Sequence, residues 1–206
     1  MARSKSSARW MNEHVTDEFV RLAQKEGYRS RAVYKLKELD EKYRLFRPGQ
    51  RIVDLGAAPG SWSEYVVEKV GERGRVIALD VLPMDALAGV EFIQGDFQDE
   101  AVLAVLLQSL GDERADLVIS DMAPNMSGMD AVDIPRAMYL VELAHELAKQ
   151  VLRRGGVFIC KLFQGEGSDV WLKAVRADFG SVVVKKPKAS RSRSREVYVV
   201  ARDFKG

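Results

Sequence analysis

Gly56 and Gly60 bracket Ala57-Ala58-Pro59 directly after the apolar run Ile52, Val53 and Leu55. Neither glycine has a Cβ, so a small molecule can lie against the main chain there. The spacing narrows what that molecule is. A dinucleotide fingerprint needs Gly-x-Gly-x-x-Gly, and a P-loop needs its lysine; the stretch has neither. A pyrophosphate asks for several free amides at a helix start, whereas an adenosine carrying an amino-acid tail asks mainly for shape and a few polar contacts. The turn therefore favours S-adenosyl-L-methionine over NAD or ATP as the cofactor held by Gly56 and Gly60.

Carboxylates follow at useful places. Asp80 falls about 20 residues past the turn, the offset at which an acid accepts hydrogen bonds from ribose hydroxyls. Asp96, before Phe97, can accept from an adenine amino group. Asp121 opens Asp121-Met122-Ala123-Pro124-Asn125, a second anchor after an apolar run. This segment lacks the second proline and the aromatic residue with which amino-directed base methyltransferases hold a flipped base. Pyrimidine C5 chemistry needs a nucleophilic thiol, but Cys160 sits in an apolar run as an inert buried residue. Lys161, next to it, is the one charge in Val157 to Phe163.

The elements that position these residues alternate between strands and helices. Strands are expected at 51–55, 75–80, 90–94, 115–120, 157–163, 181–185 and 196–200. Helices are expected over 28–45 with Ser30 as a cap, from Ser61 with Glu64 completing a capping box, and over 99–110. Two more follow, one within 131–151 starting near Pro135 and one over 169–179. That order predicts an α/β, Rossmann-like fold: a mostly parallel seven-stranded sheet with an antiparallel last strand and helices on both faces. Parallel strands end at one rim, and an antiparallel last strand begins there, so Glu196 joins Asp121 and Lys161. His145, on the long helix, is a packing or surface residue.

The chain has 206 residues, 47% hydrophobic and 30% charged, which suits a single domain with a real core. One reading divides it into a basic N-terminal segment, 1–28, and a domain spanning 29–206. With one cysteine, neither a disulfide framework nor a cysteine-built metal site is available within the chain. No apolar run would span a membrane and no signal peptide is evident, so the cytoplasm is the expected location; a monomer is expected. Net charge is only +2, but the cations are clustered. Arg3, Lys5 and Arg9 lie in the leader, Arg29 and Arg31 precede Lys35, and Lys186, Lys188, Arg191, Arg193 and Arg195 alternate with serines. Such a pattern suits phosphate contacts.

Five stretches carry a resemblance: Ser30-Arg31-Ala32 leading to Lys35, Asp54 to Gly60, Asp121 to Gly128, Lys161 to Gly165, and Ser194 to Tyr198. Over nearly its whole length the chain resembles the FtsJ/RrmJ-type ribose 2′-O-methyltransferases, those acting on bacterial 23S ribosomal RNA in particular. It departs from their pattern at Ser61, where a second glycine is usual. The resemblance implies a Lys-Asp-Lys-Glu catalytic tetrad at Lys35, Asp121, Lys161 and Glu196. It also implies cofactor contacts at Gly60, Trp62, Asp80, Asp96 and Asp121. The implied reaction is methylation of a ribose hydroxyl, that of a uridine, within the large ribosomal subunit; a direct in-line transfer requires no metal, and Lys161 is the favoured base. A lysine acts as a base once its proton is gone, which burial and a neighbouring cation favour and carboxylates oppose. The competing readings are a transfer-RNA or cap substrate, a non-catalytic RNA-binding protein, and an NAD oxidoreductase.

Overall fold

The computed structural model describes residues 17–206. Arg3, Lys5 and Arg9, with most of the N-terminal segment, lie outside the described residues. What the structure adds there is a helix, α1 (Glu18–Glu26), started by the Asp17 carboxylate accepting from the Phe19 N–H at 3.1 Å and stopped by Gly27 at φ 82°.

The remaining elements follow in the order α2 (Val33–Tyr43), β1 (Arg51–Leu55), α3 (Ser61–Val70), β2 (Arg75–Asp80), β3 (Val90–Gln94) and α4 (Glu100–Leu110). Then come β4 (Ala115–Ser120), α5 (Asp130–Val151), β5 (Leu152–Phe163), α6 (Ser168–Asp178), β6 (Phe179–Lys185) and β7 (Glu196–Phe204). The seven strands form one sheet in the order β3-β2-β1-β4-β5-β7-β6. β7 alone opposes its neighbours, pairing antiparallel with β5 on one side and β6 on the other. The expected architecture is therefore present, and β7 enters the sheet at the rim where β1, β4 and β5 leave it.

Both faces of the sheet are covered. Val53, Leu79, Leu106, Leu147, Phe158 and Trp171 belong to one core, under α4, α5 and α6. Leu36, Ile52, Trp62, Leu117, Ile159 and Tyr198 belong to the other, under α1, α2 and α3. Period-two alternation along each strand makes this division, and the functional charges inherit it. Among the described residues no helix is long and apolar enough to cross a membrane.

Three local expectations are corrected. The helix expected from Tyr28 begins only at Val33. The Ser30 hydroxyl still takes the Ala32 N–H at 3.2 Å, but the segment ahead of α2 is drawn to α3, with the Arg29 N–H reaching Glu64 at 3.3 Å. For the same reason Ser61 and Glu64 form no capping box. Gly60 caps α3 at φ 103°, Ser61 is its first residue, and the Ser61 hydroxyl meets that of Ser30 at 2.7 Å. Finally, α5 starts before Pro135, which lies inside the helix; the Met129 carbonyl already accepts from the Val132 and Asp133 N–H groups at 2.9 Å. His145 is buried, its ring stacked on Phe158, with Nε2 3.1 Å from Asp178.

Candidate active site

Asp121 directly follows β4, while Lys161 and Tyr198 are register partners on β5 and β7. Glu196 pairs with Phe163 at the end of β5. Counting by twos, Asp121 shares a face with Ile119, Lys161 with Ile159, and Glu196 with Tyr198. All therefore stand on the α2 and α3 side of the sheet, where α2 delivers Lys35.

The four charges form two matched pairs. The Lys161 Nζ donates to the Asp121 backbone carbonyl at 2.6 Å and to its Oδ1 at 2.9 Å. The Lys35 Nζ sits 2.8 Å and 2.9 Å from the two oxygens of Glu196. Tyr198 joins the pairs: its hydroxyl donates to Asp121 Oδ1, and Lys35 lies 5.6 Å from its ring centre. Burial alone would raise the Asp121 pKa. The Lys161 and Lys35 ammonium groups, with the hydrogen bonds from Tyr198 and Lys161, outweigh it and hold the carboxyl below the usual range. Burial, reinforced by Asp121, pushes the Tyr198 phenol well above its ordinary value, so it remains a donor at neutral pH. The Ser190 hydroxyl, 2.7 Å from Glu196 Oε1, steadies the other pair.

Asp121 also lines a cavity of about 610 Å³ at the same rim, with Gly56, Asp80, Asp96 and Tyr139 among its walls. The cavity is shaped by missing atoms: a Cβ on Gly56 would come within 2.5 Å of the Met122 side chain. Asp80 accepts from the Ala58 N–H at 2.9 Å and from the Leu82 N–H at 2.8 Å, which fixes its carboxylate at the pocket wall. Asp96 is held similarly by the Gln98 N–H at 3.0 Å. Each carboxylate retains lone pairs for a ligand. Gly60 and Trp62 stand apart from the cavity wall. The Trp62 indole is buried against Tyr198 and donates to the Ala32 carbonyl at 2.8 Å. What Trp62 can offer a ligand is its backbone N–H in the first turn of α3.

Three residues of this region went unassigned in the sequence. Tyr198 closes a recognised motif, yet an aromatic in a strand reads as core. Asp54 is fully buried behind the glycine turn, with Ser63 donating to Oδ2 at 2.6 Å and Oδ1 unpartnered among the described residues. Burial, the Ser63 contacts notwithstanding and with Asp121 and Asp80 adding repulsion, pushes its pKa up to about 7. Asp133 accepts from the Ser127 N–H and hydroxyl, each at 2.8 Å, and from the Gly128 N–H at 2.9 Å. It thus moors the loop that starts at Asp121, a role visible only once α5 packs below that loop.

The cations expected along RNA divide in three. Arg31 pairs with Asp17 and donates to the Ala189 carbonyl, Lys186 donates to the Ser192 and Ser194 carbonyls, and Arg195 lies 2.9 Å from Asp130. These stitch the 186–195 segment into shape. Lys188, Arg191 and Arg193 converge on a separate cavity of about 350 Å³ that Arg31 and Ser190 also line. Arg29 stands by itself, its guanidinium donating to the Pro59, Asp85 and Ala86 carbonyls.

Comparisons with known proteins agree with this geometry. The family model described as FtsJ-like methyltransferase matches residues 28–204. A protein from Cellvibrio japonicus (strain Ueda107), "Ribosomal RNA large subunit methyltransferase E", is 60% identical over 206 residues, covering 100% of this chain and 98% of that protein. Among solved structures, a Plasmodium falciparum protein described as a ribosomal RNA methyltransferase superposes with a TM-score of 0.76 at 30% identity, covering 87% of this chain and 100% of that one. Human methyltransferase-like protein 13, solved in complex with SAH, superposes with a TM-score of 0.56 at 16% identity, covering 75% of this chain and 72% of that one, a likeness of fold alone.

Proposed function

This chain belongs to the FtsJ-like methyltransferase family, and from that premise we propose that it methylates the 2′-hydroxyl of a uridine ribose in 23S ribosomal RNA of the large ribosomal subunit, using S-adenosylmethionine. One observation carries the reading: the Asp121 carboxylate that holds Lys161 is also a wall of the large cavity. A donor in that cavity and an acceptor hydroxyl at Lys161 would therefore be neighbours.

The residues fit the cofactor. Asp80 and Asp96 present acceptors suited to ribose hydroxyls and an adenine amino group, and Leu79, Val81 and Leu82 supply apolar wall between them. Gly56 leaves the space that a side chain would fill. When bound, S-adenosylmethionine supplies a methyl on a sulfonium, an activated group whose transfer needs no covalent enzyme intermediate.

The chain's own work is orientation and one proton. Aligning the two reactants lowers the barrier by roughly several kcal/mol, as it does in intramolecular reactions. Lys161 first gives a proton to solvent; as a neutral amine its Nζ then takes the proton lost by the 2′-hydroxyl as the oxygen–methyl bond forms and the sulfonium–methyl bond breaks, and the Asp121 carboxylate stabilises the ammonium so restored. Asp121 is suited to this because, half-buried at the rim, it is held ionised by the neighbouring ammonium groups. Lys35, fixed between both oxygens of Glu196, orients the hydroxyl and adds positive potential where the oxygen loses its proton. Lys188, Arg191 and Arg193 take phosphates beside the Glu196 end of the site.

The test is ribose-methylation mapping of 23S ribosomal RNA from cells with and without the gene, followed by restoration with purified protein and cofactor on isolated large subunits. A single 2′-O-methyluridine that disappears and returns is expected. An unchanged methylation map, with nicotinamide binding or with transfer RNA as the modified species, would replace the reading. RNA affinity should also fall steeply with salt, its slope shrinking by about one for each phosphate-contacting cation neutralised.

A further inference from the structure

Arg29 was expected among the RNA contacts, but its guanidinium faces three backbone carbonyls. It donates to Pro59 at 3.0 Å, Asp85 at 2.8 Å and Ala86 at 3.0 Å. Pro59 belongs to the glycine turn; Asp85 and Ala86 belong to the segment between β2 and β3, which begins with the cavity-lining residues Val81 and Leu82. Val81 and Leu82 are 59% and 60% exposed, large apolar side chains left for something to cover.

We propose that Arg29 is a positioning residue for the cofactor site, bolting the 81–89 segment onto the glycine turn, and that its contribution is to cofactor affinity rather than to RNA affinity. The proposal rests on the S-adenosylmethionine reading of the large cavity. Gly60 marks how closely the glycine turn and the 81–89 segment approach: a Cβ there would lie 2.7 Å from the Met84 sulfur and 3.0 Å from Leu87 Cδ1. A planar, permanently charged fork reaches separated carbonyls from different nitrogens, here Nη1 and Nη2, whereas a lysine's donors all radiate from one atom.

Residues 29–32, which lead into the helix that carries Lys35, are also tied to α3. The Arg29 N–H donates to Glu64, Ser30 meets Ser61, and the Trp62 indole donates to Ala32, three ties between 29–32 and the start of α3. Val33 then opens α2, which carries Lys35. The wall of the cofactor cavity, the glycine turn and Lys35 are thus joined through one short stretch of chain, and Arg29 is the member that touches the 81–89 segment between β2 and β3.

The experiment measures S-adenosylmethionine binding by calorimetry and binding to deproteinised 23S ribosomal RNA across a potassium chloride series, for wild type, Arg29→Ala, Arg29→Lys and Lys188→Ala. Arg29→Ala is expected to weaken cofactor binding about tenfold or more, equivalent to about 1.4 kcal/mol, while its RNA salt slope matches wild type. Arg29→Lys should fall between the two. Lys188→Ala should show the reverse, normal cofactor affinity with a shallower slope. If Arg29→Ala leaves cofactor affinity unchanged, whether or not it melts earlier, the proposal is overturned; a shallower slope in that variant would make Arg29 an RNA contact instead. Should Arg29→Ala not fold, Arg29→Lys decides by the same readings, since it keeps the charge and loses the fork. A wild type that binds no S-adenosylmethionine would overturn the functional reading itself, an outcome distinct from equal binding by wild type and variant.

Discussion

Lys161 is held twice by one residue: its Nζ donates to both the backbone carbonyl and the carboxylate of Asp121, at 2.6 Å and 2.9 Å. The first contact aims the amine regardless of the side-chain rotamer of Asp121, and the second supplies the counter-charge. Lys161→Ala should lower turnover by about 10²- to 10⁴-fold, the range for loss of a general base. Lys161→Arg, which keeps the charge but does not release its proton, should be equally impaired. Single-turnover kinetics with cofactor affinity measured separately would check this; near-normal rates in both variants would exclude Lys161 as the base.

Tyr198 donates its hydroxyl to the same oxygen of Asp121 that Lys161 uses. Tyr198→Phe preserves the ring beneath Lys35 and beside Trp62, and removes only that donor. A hydrogen bond to a charged partner contributes about 1.5–3 kcal/mol, so turnover should fall by ten- to a hundredfold on the order of that energy. Cofactor affinity should hold nearly constant. A fall in cofactor affinity with unchanged turnover would place the hydroxyl's role in the cavity instead.

Asp133 gathers three donors from Ser127 and Gly128 and so fixes the far end of the loop that begins at Asp121. Asp133→Ala frees this loop without touching the tetrad. Small misplacements of reacting groups cost up to about a hundredfold in rate, so a loss of tenfold or more in turnover is expected with little change in RNA affinity. Hydrogen exchange over 122–129 should rise in parallel. Unchanged exchange there would show that the loop is held by other contacts.

Asp54 gives a pH signature. Its pKa is pushed up to about 7 in the native state, chiefly by burial, while an unfolded aspartate titrates near about 4. Between those values the native protein holds the proton more tightly, so the contribution to stability is full below the lower pKa and is lost as pH rises through the upper one. Asp54→Asn removes that dependence. The melting temperature of the variant relative to wild type should therefore climb from pH 4 to pH 7, roughly the window between the two titrations, and then level off. Parallel curves would mean that Asp54 stays ionised.

The sheet was legible because parallel strands buried on both faces read as short apolar runs, and Ile52, Val53 and Leu55, Val76 to Leu79 and Leu117 to Ile119 are such runs. Their ends announced the rim, so Asp80, Asp121, Lys161 and Glu196 could be placed along it before any contact was known. Helix beginnings were less legible. Ser61 and Glu64 have the residue types of a capping box, but the 29–32 segment, distant in sequence, engages both. Local pattern does not register a partner that arrives from 35 residues away.

By itself, the amino-acid sequence determined the alternation of strand and helix, the reversed final strand, the glycine turn and the types of charge that meet at the rim. Periodicity and spacing encode those things locally. Only the tertiary structure decided which cation faces which acid, that Tyr198 completes the Asp121 network, and that Arg29 grips carbonyls beside the cofactor cavity. Those pairings are set by how α2, the 81–89 segment and β7 pack over the sheet edge, and a side chain's partner across a packed interface has no trace in its neighbours along the chain.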